Sequence, residues 1–307
     1  MAASVSGVAT PTVAAIVLAA GEGVRLRPLT LLRPKPLCPV ANRTLVDLAI
    51  DRVLPACGSV AVNVHHGRDQ LEPHLLERGD VWVSVEEARA LGTAGALGLL
   101  RDWLDGRGVL VVNADSWSLP DLTTFVAGWD GERVRMLLVG DDPFGPRSAV
   151  VASLLPWAEA VRLEPVPSGL WEACWRDLVG TDAIETVAYD GPFVDCGTPA
   201  RYLEANRWAA ALATGSSAGA LQPMNTAGAG GGAGPTDRAR RAGAGSLIHP
   251  TAVVEPGASV VSSVIGPGAT VAGSVRDSVV WAGTTVHRRE VLDRAIRAAA
   301  RMTILVR

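Results

Sequence analysis

The chain has 307 residues, enough for roughly two domains, and its 28 basic and 31 acidic side chains leave a formal net charge of −3. So even a balance offers no overall field for nucleic acid or an anionic membrane, and any anion site has to be local. Cys38, Cys57, Cys174 and Cys196 form no Cys-x-x-Cys pair, which argues against a zinc site or redox dithiol and for a reducing, cytoplasmic setting.

The first segment, MAASVSGVATP, lacks the basic start of a secretory leader, and the apolar run VAAIVLAA that follows is too short to span a bilayer. A soluble protein is expected. That run predicts a buried strand. Directly after it comes LAAGEGVRLRPLTLLRPKPLCPV, Leu18 to Val40, where Gly21 and Gly23 let successive backbone N–H groups face a ligand. Arg25 and Lys35 add two cations, Lys35 held stiffly between Pro34 and Pro36. A dinucleotide fingerprint would need glycine at Leu26, and a P-loop would need Gly-Lys-Ser/Thr; neither is present. Backbone donors with two fixed cations after a strand suit a triphosphate.

Up to about residue 210, short Val/Ile/Leu runs alternate with amphipathic stretches: TLVDLAIDRVL, SVAVNVHH, DQLEPHLLER, VWVSVEE, AGALGLLRDWL, GVLVVNADS. The pattern predicts βαβ units around a parallel sheet buried on both faces, with ligands at the carboxyl ends of its strands. His65 and His66, neighbours on a strand, point to opposite faces and make a poor metal pair. In LGTAGAL, small residues at Gly92, Thr93, Ala94 and Gly95 permit either close approach of a flat base or close packing of a helix. Asp115 follows the strand GVLVVNA, and Asp195 stands between Phe-Val and the turn CGTP. By themselves both read as turn or capping aspartates. Tryptophans such as Trp117 read as core.

After the helical PARYLEANRWAAALAT the chain turns glycine- and alanine-rich, so residues 1–214 are read as one domain and 215–245 as a flexible linker. In the remaining 246–307, SVVSSVIGPGATV and SVRDSVVWAGTTV superimpose with Val260 on Val275, Ile265 on Val280, Gly268 on Gly283 and Val271 on Val286. Such a repeat predicts about two coils of a parallel β-helix. A solenoid so short needs a cap or a partner: the amphipathic REVLDRAIRAAARM, read as a helix with solvated arginines, or a second copy of the chain.

The segment from Leu18 to Val40 resembles the signature of the sugar-phosphate nucleotidyltransferases, the family that contains mannose-1-phosphate guanylyltransferase and glucose-1-phosphate thymidylyltransferase. EEARALGTAGAL, VVNADSW and FVDCGTPARYLEAN resemble the same family in the same order. The resemblance implies a Rossmann-like doubly wound mixed α/β sheet followed by a short left-handed parallel β-helix. It implies transfer of a nucleotidyl group from an NTP to a sugar 1-phosphate, with GTP and mannose 1-phosphate slightly favoured by LGTAG. Carried over, Arg25 is the catalytic arginine and Lys35 the phosphate-binding lysine; Leu18, Ala20, Gly21 and Gly23 line the nucleotide; Gly92 and Thr93 meet the base; Asp115 and Asp195 hold Mg²⁺.

The sequence also departs from the family. Ala114 replaces a usual glycine, where a methyl would crowd metal or ribose, and the Glu-Lys-Pro segment whose lysine binds the sugar phosphate is absent. The short interval between the two aspartates is closer to the N-acetylmuramate-1-phosphate uridylyltransferases, and Arg147 is the nearest basic candidate for the sugar phosphate. These departures keep open a second reading, a regulatory paralogue that binds nucleotide or NDP-sugar without transferring it.

Overall fold

The structure, a computed structural model, describes residues 12–215 and 245–307. The stretch read as a linker lies outside the described residues except at its ends. The chain divides into two compact units that do not follow the division at residue 214. One comprises the described residues up to Gly23, Leu32–Leu37 and Leu45–Phe193; the other comprises Val24–Leu31, Cys38–Thr44 and the described residues from Val194 onward.

The first unit is built on a seven-stranded sheet. Its strands are β1 (Val13–Leu18), β2 (Val60–Val64), β3 (Trp82–Val85), β4 (Gly108–Asn113), β5 (Val134–Val139), β6 (Val150–Leu155) and β7 (Ile184–Tyr189), in the order β7-β5-β6-β4-β1-β2-β3. Strands β4, β1, β2 and β3 run parallel, as do β5 and β7, while β6 is antiparallel to both its neighbours. The sheet is therefore mixed rather than wholly parallel. Alternate residues of β1 go to opposite faces: Ala15 and Val17 pack with helices α1 (Leu45–Val53), α2 (Arg68–Arg78) and α4 (Leu122–Ala127), whereas Ala14 and Ile16 pack with α3 (Gly92–Leu99). Burial on both sides is why the strands read as continuous apolar runs.

The second unit contains helix α5 (Pro199–Ala213), a two-stranded hairpin of Pro39–Val40 with Arg43–Thr44, and three parallel ladders formed by the C-terminal residues. Val260 pairs with Val275, Ile265 with Val280 and Val271 with Val286, the partners given by the internal repeat. Leu247–Ile248 and Val253–Val254, which precede the repeat, extend the ladders of Ile265 and Val271. Ile265, Val271, Val275, Val280, Val286 and Leu292, contributed by all three ladders, pack in one buried cluster.

The expected C-terminal helix is not formed. Val291–Asp293 and Ala295–Ala299 are strands that add to the ladders, and Met302–Leu305 pairs antiparallel with the latter. Ladder edges offer a row of unpaired N–H and C=O groups, and pairing with them outweighs the helix propensity of an Ala- and Arg-rich stretch. Arg297, expected at a solvated helix surface, is only 5% exposed. No helix among the described residues is long and apolar enough to cross a membrane.

Candidate functional site

The glycine-rich segment is shared between the units, Lys35 with the first and Arg25 with the second. Lys35 opens a short 3-10 turn closed by Leu37 N–H on the Pro34 carbonyl at 2.9 Å. Pro34 packs against the α-carbon of Gly67, where a Cβ would come within 2.5 Å of it. The turn is thereby fixed, and the Lys35 ammonium, itself buried, meets Asp115 Oδ2 at 2.9 Å. Asp115 follows β4, and its side chain remains 46% exposed. Ala114 beside it is wholly buried in the core, its N–H on the Leu18 carbonyl, so its methyl packs inward and the crowding expected from sequence does not arise.

In the second unit, the exposed Arg25 guanidinium lies 3.5 Å from Asp195 Oδ2. Asp195 precedes the start of α5, where Thr198 caps the helix through Arg201 N–H and Pro199 occupies the first turn. Gly197 lies against this pair: a Cβ there would sit 2.9 Å from Arg25 Nη2 and 3.0 Å from Asp195 Oδ1.

The glycines differ in what they do. Gly23 has φ +67°, in the left-handed region. Around Gly21 the chain leaves open space, so nothing in the fold itself requires glycine there. Gly92, with φ +70°, lies against Ser168, whose carbonyl would be 2.6 Å from a Cβ; Gly95 and Gly98 lie equally close to Val166 and Glu164. Thr93 Oγ1 accepts from Leu170 N–H at 2.8 Å. Close packing therefore accounts for much of the LGTAGAL pattern.

A pocket of about 240 Å³ opens in the first unit, where Leu18 and Asn113 end adjacent strands β1 and β4. Thr93, Ser148, Ser153, Leu170 and Trp175 also line it, and none of its lining residues is charged. The structure thus brings Leu18 and Thr93 together, Lys35 to Asp115, and Arg25 to Asp195. Arg147 is exposed and stands outside the pocket lining, one residue from Ser148.

Two further residues escaped the sequence reading. Asn63, inside the buried strand β2, accepts from Ala19 N–H at 2.7 Å and donates to Glu86 Oε1 at 2.7 Å; Glu86 Oε2 accepts from Leu91 N–H at 2.7 Å. An amide within an otherwise apolar strand was the available signal, because buried polar side chains are kept where they have partners. His65 and His66 bond through Nδ1 to the carbonyls of Glu86 and Ala20, at 2.6 and 2.8 Å, so both serve the backbone. Trp117 is core, 4% exposed. The four cysteines are buried thiols that form no disulfide, and burial pushes the thiols of Cys57 and Cys174 up to about 12.

Among the described residues no group of three or more His, Cys, Asp and Glu side chains gathers as a metal-ligand set. Asp115 and Asp195 are half-exposed carboxylates, the hard oxygen donors that suit Mg²⁺, which keeps water and phosphate oxygens for its remaining positions. Both fit that ion.

Residues 14–139 match the profile of the nucleotidyl transferase family. The chain is 38% identical over 136 residues to N-acetylmuramate alpha-1-phosphate uridylyltransferase of Caulobacter vibrioides, and 33% identical over 138 residues to the catalytic subunit beta of mannose-1-phosphate guanylyltransferase of Dictyostelium discoideum. The alignments take in 41% and 42% of this chain and 56% and 38% of those proteins. Among solved structures, a putative glucose-1-phosphate thymidylyltransferase from Bacillus anthracis superimposes with TM-score 0.53 and 20% identity, over 64% of this chain and 95% of that one. A UDP-glucose pyrophosphorylase from Acinetobacter baumannii gives the same score at 16% identity, over 65% and 93%. These likenesses show a mixed α/β fold of the kind found in nucleotide-sugar transferases.

Proposed function

We propose that the protein is a sugar-1-phosphate nucleotidyltransferase, joining an NTP and a sugar 1-phosphate into an NDP-sugar with release of pyrophosphate. The observation that carries this reading is the Lys35–Asp115 pair at 2.9 Å, a buried ammonium aimed at a half-exposed carboxylate beside the carboxyl end of β1. The match of residues 14–139 to the nucleotidyl transferase family and the names of the relatives support it.

An oxygen of the sugar phosphate attacks the α-phosphorus of the NTP, and the bond from that phosphorus to the bridging oxygen of pyrophosphate breaks. No general base is needed, because the attacking oxygen is already ionised. Arg25 and Lys35 stabilise charge that builds on the phosphates, and the open surroundings of Gly21 leave room for a phosphate against the backbone. Asp115 and Asp195 would hold Mg²⁺, which when bound neutralises phosphate charge. Leu18, Ala20, Gly21 and Gly23 would line the nucleotide, and Gly92 and Thr93 the base. Arg147 would meet the sugar phosphate.

GTP and mannose 1-phosphate are the favoured pair, on the strength of LGTAG and the guanylyltransferase relatives. The C-terminal ladders are read as a short β-helix, a surface through which copies of the chain would associate. Inward packing of the Ala114 methyl removes one argument for a regulatory paralogue. The test is pyrophosphate release from each NTP with Mg²⁺ and mannose, glucose, N-acetylglucosamine or N-acetylmuramate 1-phosphate. Release with one pair establishes the reaction and names both substrates; nucleotide binding without release from any pair overturns it in favour of the regulatory reading.

A further inference from the structure

The buried side chains of Asn63 and Glu86 lie between two stretches of chain that the proposed function assigns to the nucleotide. Ala19 N–H, at the head of the glycine-rich loop, donates to Asn63; Asn63 donates to Glu86; Leu91 N–H, immediately before Gly92 and Thr93, donates to Glu86, each at 2.7 Å. Asn63 and Glu86 are 3% and 2% exposed. Histidines brace the same backbone from the neighbouring positions, His66 on the Ala20 carbonyl and His65 on the Glu86 carbonyl.

The fold does not need this chain of bonds. Every other residue of β2 is apolar, and a β-branched residue at position 63 would suit a buried strand better than asparagine does. A buried amide and carboxyl carry a desolvation cost that only matched partners offset, and replacing such groups with apolar ones is often neutral or stabilising. What an apolar pair would not supply is a fixed distance between Ala19 and Leu91. Both Glu86 oxygens and both ends of the Asn63 amide are engaged, so the two backbone N–H groups are set relative to one another through three directional bonds.

We infer that Asn63 and Glu86 are positioning residues, which hold the glycine-rich loop and the Leu91–Thr93 turn at the separation a nucleoside triphosphate requires. The inference rests on the proposed function. Their loss weakens binding of the NTP and spares that of the sugar phosphate.

The experiment compares wild type with Glu86→Gln, whose amide has one oxygen and sets an NH₂ group against either Leu91 N–H or the Asn63 amide. Should that variant fail to fold, Asn63→Ser withdraws the side chain by one bond from both Ala19 N–H and Glu86 and leaves the bond from Leu91 to Glu86 in place. Asp80→Asn, in the remote Arg78 ion cluster, serves as a variant of reduced stability alone. The expected result is a rise of ~10-fold in KM for the NTP with KM for the sugar 1-phosphate changed by less than about twofold, the size of one lost hydrogen bond to a charged group. Asp80→Asn should move neither. Equal rises in both KM values, or a fall in melting temperature with both KM values unchanged, would overturn the inference. If wild type releases no pyrophosphate, Kd values for GTP and UTP with Mg²⁺ are read instead. Weaker binding in the variants then supports positioning although the transfer reading has failed; an equal Kd overturns the inference, and a wild type that binds neither nucleotide overturns it together with that reading.

Discussion

Lys35 Nζ lies 2.9 Å from Asp115 Oδ2, yet the two side chains are very unequally placed, 6% and 46% exposed. The lysine bears the desolvation, and the aspartate keeps water. Replacing Lys35 with methionine should therefore leave no buried charge behind, and stability should change by about 1 kcal/mol or less, since the Asp115 carboxylate that loses its partner is half-exposed. Pyrophosphate release should fall by ~10² to 10³, the range for removing one preorganised charge-stabilising group. Thermal melting and turnover measured on the same preparation check the pair of expectations. A folded variant with the wild-type rate would remove Lys35 from the chemistry.

Gly197 bears on the other cation. A methyl at this position meets Arg25 Nη2 at 2.9 Å and Asp195 Oδ1 at 3.0 Å, and the first of these is the far end of a flexible, exposed side chain. The guanidinium can move aside at little cost in stability, but it moves out of place. Gly197→Ala should keep the wild-type melting temperature and lose ~10-fold or more in turnover, because small displacements of charged groups cost rate. Arg25→Ala should lose more than Gly197→Ala, and the reverse order would show that Gly197 acts through something other than Arg25.

The strands of the sheet and the partners in the C-terminal ladders were legible because burial on both faces leaves unbroken Val/Ile/Leu runs, and because a repeat in sequence becomes a register in space. Lys35 and Asp115 were legible through the motifs around them, although their contact spans 80 positions. Asn63 and Glu86 were not: the amide stands out in an apolar strand, but its partners Ala19 and, through Glu86, Leu91 are brought to it only by the fold. REVLDRAIRAAARM misled for the opposite reason. Its local composition favours helix, and only the free edge of the preceding ladder, a tertiary feature, turns Ala295–Ala299 into strand. The division of the glycine-rich segment between two units was invisible as well, because its composition does not change between Gly23 and Val24.

Within the second unit, Tyr202 is completely buried, and burial holds its phenol well above the ordinary value, so it stays protonated at any working pH. Its hydroxyl accepts from Trp281 Nε1 at 2.9 Å and donates to the Pro39 carbonyl, tying α5 to the ladders and to the hairpin. Asn42 Nδ2, on the Ile265 carbonyl at 3.0 Å, ties the hairpin to the ladders directly. Tyr202→Phe removes both hydroxyl bonds while keeping the ring, and should lower stability by about 1–3 kcal/mol. Urea unfolding followed by tryptophan fluorescence reads the loss. No change in midpoint would mean that ring packing alone holds these elements together.

Arg297 offers a test in which pH separates charge from packing. Its guanidinium is buried, bonded to Glu290 and to the carbonyls of Thr285 and Ala300. Burial raises the Glu290 carboxyl, but the His287 N–H bond and Arg297 together outweigh it and hold the group below its ordinary 4.5. A carboxyl lowered in the folded state contributes stability that is fully present above the unfolded pKa and disappears as pH falls through the folded one. Arg297→Met should therefore cost about 3 kcal/mol at pH 7, the lower end for breaking a buried pair, because Glu290 keeps partial contact with water. Below pH 4.5 the gap between wild type and variant should narrow as Glu290 takes up its proton. Unfolding free energies from urea titrations on both sides of that pH decide the matter. A gap of constant size would assign the whole effect to the packing of the Arg297 stem and its carbonyl bonds.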